Sequence, residues 1–398
     1  MLNLSAKIIA IKNVKTEGPG MVLRVADRPV DDADRSAYLA RSVDSALPAG
    51  FALYLLSAGA ASLATKLEDR PWVLLPEDLH YLAHGDIVRV SPHEQRIRVL
   101  YRVASSHNHF LVTERCDNYC LMCSQPPRNV NDDWVVEEIL QTIPLMHPKT
   151  AEIGFTGGEP TLLGERFLDV LRACKTHLPN TAVHVLSNGR RFSDYAFAEQ
   201  WASIEHPDLM VGIPLYSDCS TMHDFVVQAD GAYDETIRGI LNLKRLNQRV
   251  ELRVVLHQYT YKHLPRLAEF LSRNLLFVDH VALMGLEIMG FARANLDTLW
   301  VDPVDYQDEL RVAVSILDAS GMRVSIYNLQ LCLLEESLWP FAVQSISEWK
   351  REYAEECGGC SVREQCGGFF FSAKYKRSSH IRPIVQQGIT SNFTEQRA

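Results

Sequence analysis

The chain has 398 residues, 47% of them hydrophobic, enough for a large core and more than one domain. A net charge of −9 argues against general binding to nucleic-acid backbones and leaves room only for a local basic patch. Nine cysteines, in a chain whose first ten residues lack a basic start and an apolar run, point to reduced thiols in the cytoplasm rather than secreted disulfides.

Residues 1–105 read as a small β-rich domain. Short apolar runs at 21–25, 72–75, 87–90 and 97–100 alternate with turn residues. Residues 46–67 are mostly apolar, but Pro48 and several Gly and Ser interrupt them. A buried strand and turn is expected there, not a membrane span.

From residue 106 to 295 the pattern changes. Strand-like runs at 109–113, 151–155, 182–186, 209–215, 252–256 and 278–283 alternate with helical stripes. Most of their starts are roughly 30 residues apart, the length of a βα unit. Phe167, Val170, Leu171 and Cys174 form one stripe; Leu264, Leu267, Ala268 and Leu271 form another. Six such units predict an α/β fold, a partial (β/α)6 TIM-like barrel whose sites gather on the loops after the strands.

Residues 296–373 add a helix carrying Leu310, Ala313, Val314 and Leu317, a short strand and a cysteine-rich segment. Residues 374–398, with Lys374, Lys376, Arg377 and Arg382, read as a flexible basic tail.

Cys116, Cys120 and Cys123 follow the first strand of the barrel with the spacing CxxxCxxC. Structural zinc normally takes four protein ligands, and no fourth Cys or His lies at knuckle spacing. An iron–sulfur cluster takes one thiolate per iron, so three cysteines leave one iron of four open to another molecule. One βα unit later, Thr156-Gly157-Gly158-Glu159-Pro160 ends the second strand. Its glycines allow close backbone approach, and Glu159 supplies an acceptor for an ammonium group. Near the C-terminus, Cys332, Cys357, Cys360 and Cys366 form a second group, followed by Gly367-Gly368. Four thiols suit either zinc or a fully ligated 4Fe-4S cluster. Of the remaining cysteines, Cys174 lies on an apolar helical stripe and Cys219 in a loop. Arg253 and Glu287, in or just after apolar strands, are candidates to face the barrel interior.

CxxxCxxC followed by Gly-Gly-Glu-Pro resembles the radical SAM superfamily. The resemblance implies that Cys116, Cys120 and Cys123 hold a 4Fe-4S cluster, with S-adenosylmethionine at its open iron. It implies that Gly157, Gly158 and Glu159 hold the methionine amino group and that Met122 lies against adenine. Ser187 and Asn188, in Leu186-Ser187-Asn188-Gly189, match a strand-end pattern of the family and become further cofactor contacts. Ser217 stands near the place of a ribose-binding serine, displaced from the usual pattern, with His223-Asp224 following. The resemblance also favours a second, auxiliary 4Fe-4S cluster over zinc at the four C-terminal cysteines.

The phrasing of residues 113–127, of Leu331-Cys332-Leu333-Leu334 and of residues 357–368 is similar to the C-type radical SAM maturases of the His-Xaa-Ser repeat peptide system. That likeness implies S-adenosylmethionine cleavage to a 5′-deoxyadenosyl radical and hydrogen abstraction from a ribosomally made precursor peptide. It further implies a second radical SAM maturase as partner and an electron donor such as flavodoxin or ferredoxin. The β-rich composition of residues 1–105 separately suggests that the peptide docks there by strand addition. A radical SAM enzyme acting on a small molecule or RNA is the alternative, as is a non-enzymatic iron–sulfur protein for electron transfer or sensing. No catalytic acid, base or nucleophile is assigned.

Overall fold

The computed structural model describes residues 3–15, 20–344 and 352–385. The chain forms two compact units, neither of them continuous in sequence. The first holds Met1–Cys116, Arg128–Ser187 and Asp194–Val211; the second holds Asp117–Pro127, Asn188–Ser193 and Gly212–Ala398.

The first unit opens with β1 (Ser5–Lys7), β2 (Ala10–Lys12), β3 (Met21–Ala26), β4 (Ser36–Ala40), β5 (Leu53–Leu56), β6 (Trp72–Leu74), β7 (Ile87–Ser91) and β8 (Arg96–Tyr101). They make one sheet in the order β1-β8-β7-β3-β4-β5-β6-β2. β1 pairs with β8 and β2 with β6, so two strands adjacent in the chain form opposite edges. Between them the Ile8 N–H donates to Gln95 O at 2.8 Å and the Ile9 N–H to Leu74 O at 3.0 Å. Each edge strand is only three residues long, a poor template for an added peptide strand.

The side chains of β5 alternate between two apolar clusters. Leu53 and Leu55 pack with Val25, Leu39 and Val88; Tyr54 and Leu56 pack with Leu63 and Leu67. The apolar run at 46–67 is this doubly buried strand followed by a 3-10 helix, Ala58–Lys66, in place of the expected turn, with Ala60 and Leu63 buried in the same cluster as Tyr54 and Leu56. Among the described residues no helix is long and apolar enough to cross a membrane.

Seven parallel strands follow in chain order within one sheet: β9 (His107–Leu111), β10 (Glu152–Thr156), β11 (Ala182–Leu186), β12 (Leu209–Pro214), β13 (Arg249–Leu256), β14 (His280–Gly285) and β15 (Val324–Tyr327). Between and after them come α1 (Trp134–Thr142), α2 (Glu165–His177), α3 (Tyr195–Ala202), α4 (Ser220–Val227), α5 (Ala232–Arg245), α6 (Leu264–Asn274), α7 (Gly290–Ala294), α8 (Leu296–Leu299) and α9 (Gln307–Ala319). The predicted apolar stripes of α2, α6 and α9 are buried. The α/β architecture expected from the βα rhythm is present, with one strand more than the six anticipated. β15 is four residues long, and its pairing with β14 through Val281↔Val324 to Met284↔Tyr327 is what makes it part of the sheet.

Within the first unit, α1 is tied to β7 and β8. The buried Glu138 accepts from Arg89 at 2.9 Å and from Arg98, and both guanidinium groups lie over the Trp134 ring. A buried carboxylate with two cations satisfies its charge only in this arrangement.

Candidate active site

After β9 the chain turns through Thr113 and Arg115 into Cys116, while β10 ends beside it. The Gly158 N–H donates to Thr113 O and the Glu159 N–H to Arg115 O, each at 2.7 Å. A Cβ on Gly158 would stand 2.0 Å from Arg115 O. Any side chain there would displace the cysteine loop, so the close approach served by this glycine includes one to the protein itself.

Glu159 is 1% exposed. Its Oε1 accepts from the Thr161 N–H at 3.0 Å, the Thr161 hydroxyl at 2.6 Å and the Ser187 hydroxyl at 2.8 Å. Three donors on one oxygen hold the carboxylate oriented. Asp132 performs a similar service for the cysteine loop. It accepts from the Thr113 hydroxyl at 2.9 Å and the Glu114 N–H at 2.5 Å, and pairs with Arg115 at 3.1 Å. Nothing in the local sequence marked Asp132, which lies 19 residues from Thr113.

In the second unit, Cys120, Met122 and Cys123 sit on a loop held from several sides. The Tyr119 N–H donates to Val227 O at 3.0 Å and the Leu121 N–H to Val226 O at 2.9 Å, at the end of α4. The Phe291 N–H donates to Cys123 O at 2.8 Å, and the Asn295 amide to Leu121 O at 2.8 Å. Gly290 has φ 52° and lies where a Cβ would meet Cys123 O at 2.5 Å, so α7 starts against the loop only through a glycine. Met122 is buried among Tyr216, Val226, Val227 and Ala292. Burial pushes the Cys123 thiol up, and that thiol donates to Gln125 O at 3.0 Å.

Arg190 clamps the start of this loop. Its Nη1 donates to Asp117 O and to Asn118 Oδ1, each at 2.8 Å, while its Nε donates to Glu235 at 2.6 Å. Asn188 donates to Asp117 Oδ1 at 2.6 Å and accepts from the Arg190 N–H at 3.0 Å. Its amide nitrogen is therefore engaged with the loop and its oxygen with the backbone of Arg190. The pattern Leu186-Ser187-Asn188-Gly189 pointed at this turn, and the next residue proves to be the clamp.

Ser217, 2% exposed, accepts from the Cys219 N–H at 3.1 Å and so braces the entry to α4. His223 accepts from the Tyr216 N–H at 3.3 Å and stacks on its ring at 5.9 Å. Burial pushes the His223 imidazole down to about 4, so it is neutral near pH 7. Asp224 caps α5, accepting from the N–H groups of Gly231 and Tyr233 at 2.8 Å each. Burial, then charge on Cys120 and Cys123, drives the Tyr216 phenol upward, which places that ring beside the cysteines.

The four C-terminal cysteines also gather in the second unit. Burial raises the thiols of Cys332 and Cys366. Charge on Cys366 and Cys357 adds to the rise at Cys332, and charge on Cys357 and Cys360 adds to it at Cys366. The Leu331 N–H donates to Cys366 Sγ and the Ile384 N–H to Cys360 Sγ, both at 3.4 Å. Residues 374–385 thus run back to the cysteine turn; residues 386–398 of the expected tail lie outside the described residues.

The other candidates fall elsewhere. Cys174 is buried on α2 and its thiol is pushed up to about 12, an unreactive position. Cys219 is exposed. Arg253 donates to Glu251 at 2.7 Å, Glu251 bonds His280 at 2.7 Å, and His280 bonds Ser325 at 2.9 Å. That row is a satisfied polar network across β13, β14 and β15. Glu287 follows β14 in the loop before α7.

Among the described residues no group of three or more His, Cys, Asp and Glu is placed to hold a metal ion. A 4Fe-4S cluster asks something different, one thiolate for each ligated iron. The donor chemistry fits it. There are three thiols on one loop, an oriented carboxylate after the neighbouring strand, and sulfurs at the C-terminal group that already accept backbone N–H bonds, as thiolate ligands do.

Residues 110–271 match the radical SAM superfamily, a class of enzymes that use a 4Fe-4S cluster and S-adenosylmethionine. The match runs from β9 into α6, less than half of the chain. Among solved structures it is similar to SuiB from Streptococcus suis bound to S-adenosylmethionine, at 15% identity and a TM-score of 0.44, over 57% of this chain and 51% of that one. It is also similar to native anSMEcpe with bound AdoMet, at 16% identity and a TM-score of 0.50, over 69% of this chain and 92% of that one. A radical SAM methyltransferase from Sphaerobacter thermophilus aligns at 16% identity and a TM-score of 0.42, over 61% and 72% of the two chains. The alignment thus spans about half the length of SuiB. The likeness to anSMEcpe, at 16% identity, shows a shared fold alone. No curated protein sequence matches the chain.

Proposed function

We propose that this chain is a radical SAM enzyme that modifies a peptide. Cys116, Cys120 and Cys123 would hold a 4Fe-4S cluster, and Gly157, Gly158 and Glu159 the amino group of S-adenosylmethionine. Reduced, such a cluster supplies the electron that cleaves S-adenosylmethionine to methionine and a 5′-deoxyadenosyl radical, which takes a hydrogen atom from the substrate.

The protein's own part is to position and to exclude water. Glu159 would present an oriented carboxylate to the ammonium group because Ser187 and Thr161 hold one of its oxygens. Asp132 and Arg190 hold the two ends of the cysteine loop in place. The observation that carries the reading is the backbone lock between the loops after β9 and β10, Gly158 to Thr113 and Glu159 to Arg115. It joins the cysteine loop to the carboxylate that would grip its ligand.

Cys332, Cys357, Cys360 and Cys366 would hold an auxiliary 4Fe-4S cluster, with zinc as the alternative. The peptide reading rests on that cysteine-rich segment and on the likeness of residues 113–127 and 357–368 to the His-Xaa-Ser maturases. Those imply a His-Xaa-Ser precursor, a partner maturase and a flavodoxin or ferredoxin as electron donor. Given the three-residue edges of the N-terminal sheet, the peptide would dock elsewhere.

Anaerobic iron and sulfide reconstitution, followed by reductant and S-adenosylmethionine, tests the reaction. About eight irons per chain and release of 5′-deoxyadenosine are expected. A Cys120→Ala variant that still releases 5′-deoxyadenosine would sink the assignment.

A further inference from the structure

Residues 374–385, the described part of the expected tail, are tied to the second cysteine group at two places. Arg377 donates to Glu356 at 2.9 Å, and Glu356 immediately precedes Cys357. Ser361, which follows Cys360, donates its N–H and its hydroxyl to Ile384 O, each at 2.8 Å. Between these ties Ser378 is buried and its hydroxyl accepts from the His380 N–H at 3.1 Å. Arg382 and Pro383 are exposed, so the segment runs along the surface as a strap.

The N–H groups on either side of Pro383 are both directed at sulfur. The Ile384 N–H donates to Cys360 Sγ at 3.4 Å, and the Arg382 N–H bonds the Cys332 sulfur. Pro383 itself has no N–H to place. At Cys366 the donors are the N–H groups of Leu331, at 3.4 Å, and Gly368. The two Ser361 bonds would hold the strap without any bond to sulfur. A thiol sulfur is a weak acceptor, and a sulfur carrying negative charge is a far better one. These backbone donors are therefore well satisfied when the sulfurs are metal-bound thiolates.

We infer that residues 382–384 are part of the metal site of Cys332, Cys357, Cys360 and Cys366, their backbone N–H groups stabilising the charge on two of its sulfurs. The inference rests on the reading of those cysteines as a second metal centre. Hydrogen bonds to the sulfurs of a cluster favour its more negative, reduced state. The strap thus raises the reduction potential of the centre and slows the loss of its metal. Arg382 and Ile384 are positioning residues, since they act through Cys332 and Cys360.

The test uses the full chain carrying Cys120→Ala, reconstituted anaerobically, so that the C-terminal centre is read by itself at about four irons per chain. Proline at 382 or 384 removes one N–H, whereas alanine there removes the side chain and keeps the N–H. Arg382→Pro is read against Arg382→Ala, and Ile384→Pro against Ile384→Ala. Each proline variant should have the more negative midpoint potential and lose iron to a chelator about fivefold faster, as expected for one hydrogen bond. The potential is the readout that a merely structural strap would not move. An unchanged potential within both pairs overturns the strap, even where release is faster, and leaves the auxiliary cluster standing. If a proline variant takes up no iron, Ser361→Ala replaces it; loosening Ile384 should shift the potential in the same direction by less, and no shift overturns the strap. Zinc in place of iron overturns the cluster reading. The strap then stands if the proline variants release zinc about fivefold faster than their alanine partners, and falls if they do not. A chain that binds neither metal there overturns both.

Discussion

The Ser187 hydroxyl donates to Oε1 of Glu159 at 2.8 Å, joining the end of β11 to the turn after β10. Thr161 adds its N–H and its hydroxyl to the same oxygen. Hydrogen bonds to a buried charge contribute about 1.5–3 kcal/mol each. Ser187→Ala should therefore weaken S-adenosylmethionine binding by about tenfold or more and lower the melting temperature by several degrees. Glu159→Gln should lose more cofactor binding, because it keeps an acceptor oxygen for those donors but removes the carboxylate offered to the ammonium group. Equilibrium dialysis of the cofactor and thermal unfolding check both variants.

Gly158→Ala reads the lock between the two loops. The added methyl meets Arg115 O at 2.0 Å and must push the cysteine loop aside. Iron uptake on reconstitution should fall by more than half while far-ultraviolet circular dichroism stays close to that of the parent protein. Full iron loading in this variant would show that the loop tolerates the shift.

Arg190→Lys tests the clamp on Asp117 and Asn118. Lysine is a point charge and cannot donate to Asp117, Asn118 and Glu235 in the same fork. Loss of two such bonds should cost about 2–4 kcal/mol of stability, read by chemical denaturation. Cluster absorbance on reconstitution should fall with it.

Cys360→Ser separates the two cysteine groups. The variant should bind about four irons rather than about eight, and keep the absorbance of one cluster. If the site holds zinc, the iron count stays the same and one zinc per chain is lost instead.

Acid sensitivity follows from His223. Burial holds its folded value at about 4, below the usual 6.5, so the unfolded chain binds the proton more readily. Stability is fully present above pH 6.5 and is lost as pH falls from 6.5 to 4, by about 3 kcal/mol in all. His223→Asn, which keeps an acceptor for the Tyr216 N–H, should flatten that part of the curve. Denaturation of the metal-free protein at several pH values measures it.

Much of the candidate site could be named from the chain. CxxxCxxC, Gly-Gly-Glu and Ser-Asn-Gly are local spacings, each placed directly after a strand whose apolar pattern is also local. Strands β9 to β14 and the stripes of α2, α6 and α9 were readable for the same reason. β15 was less so, because four residues carry little periodicity and its membership depends on β14. The doubly buried β5 read as a long apolar run because both of its faces meet a core.

The sequence by itself determined the chemistry-bearing side chains and the βα rhythm that puts them at strand ends. Only the tertiary structure decided what holds them. Ser187 reaches Glu159 across 28 residues, Thr113 reaches Asp132 across 19, and Arg190 reaches Asn118 across 72. Local spacing encodes which residues share a turn or a face. Hydrogen bonds and burial between distant segments depend on how the strands are stacked, and that is settled only when the chain folds.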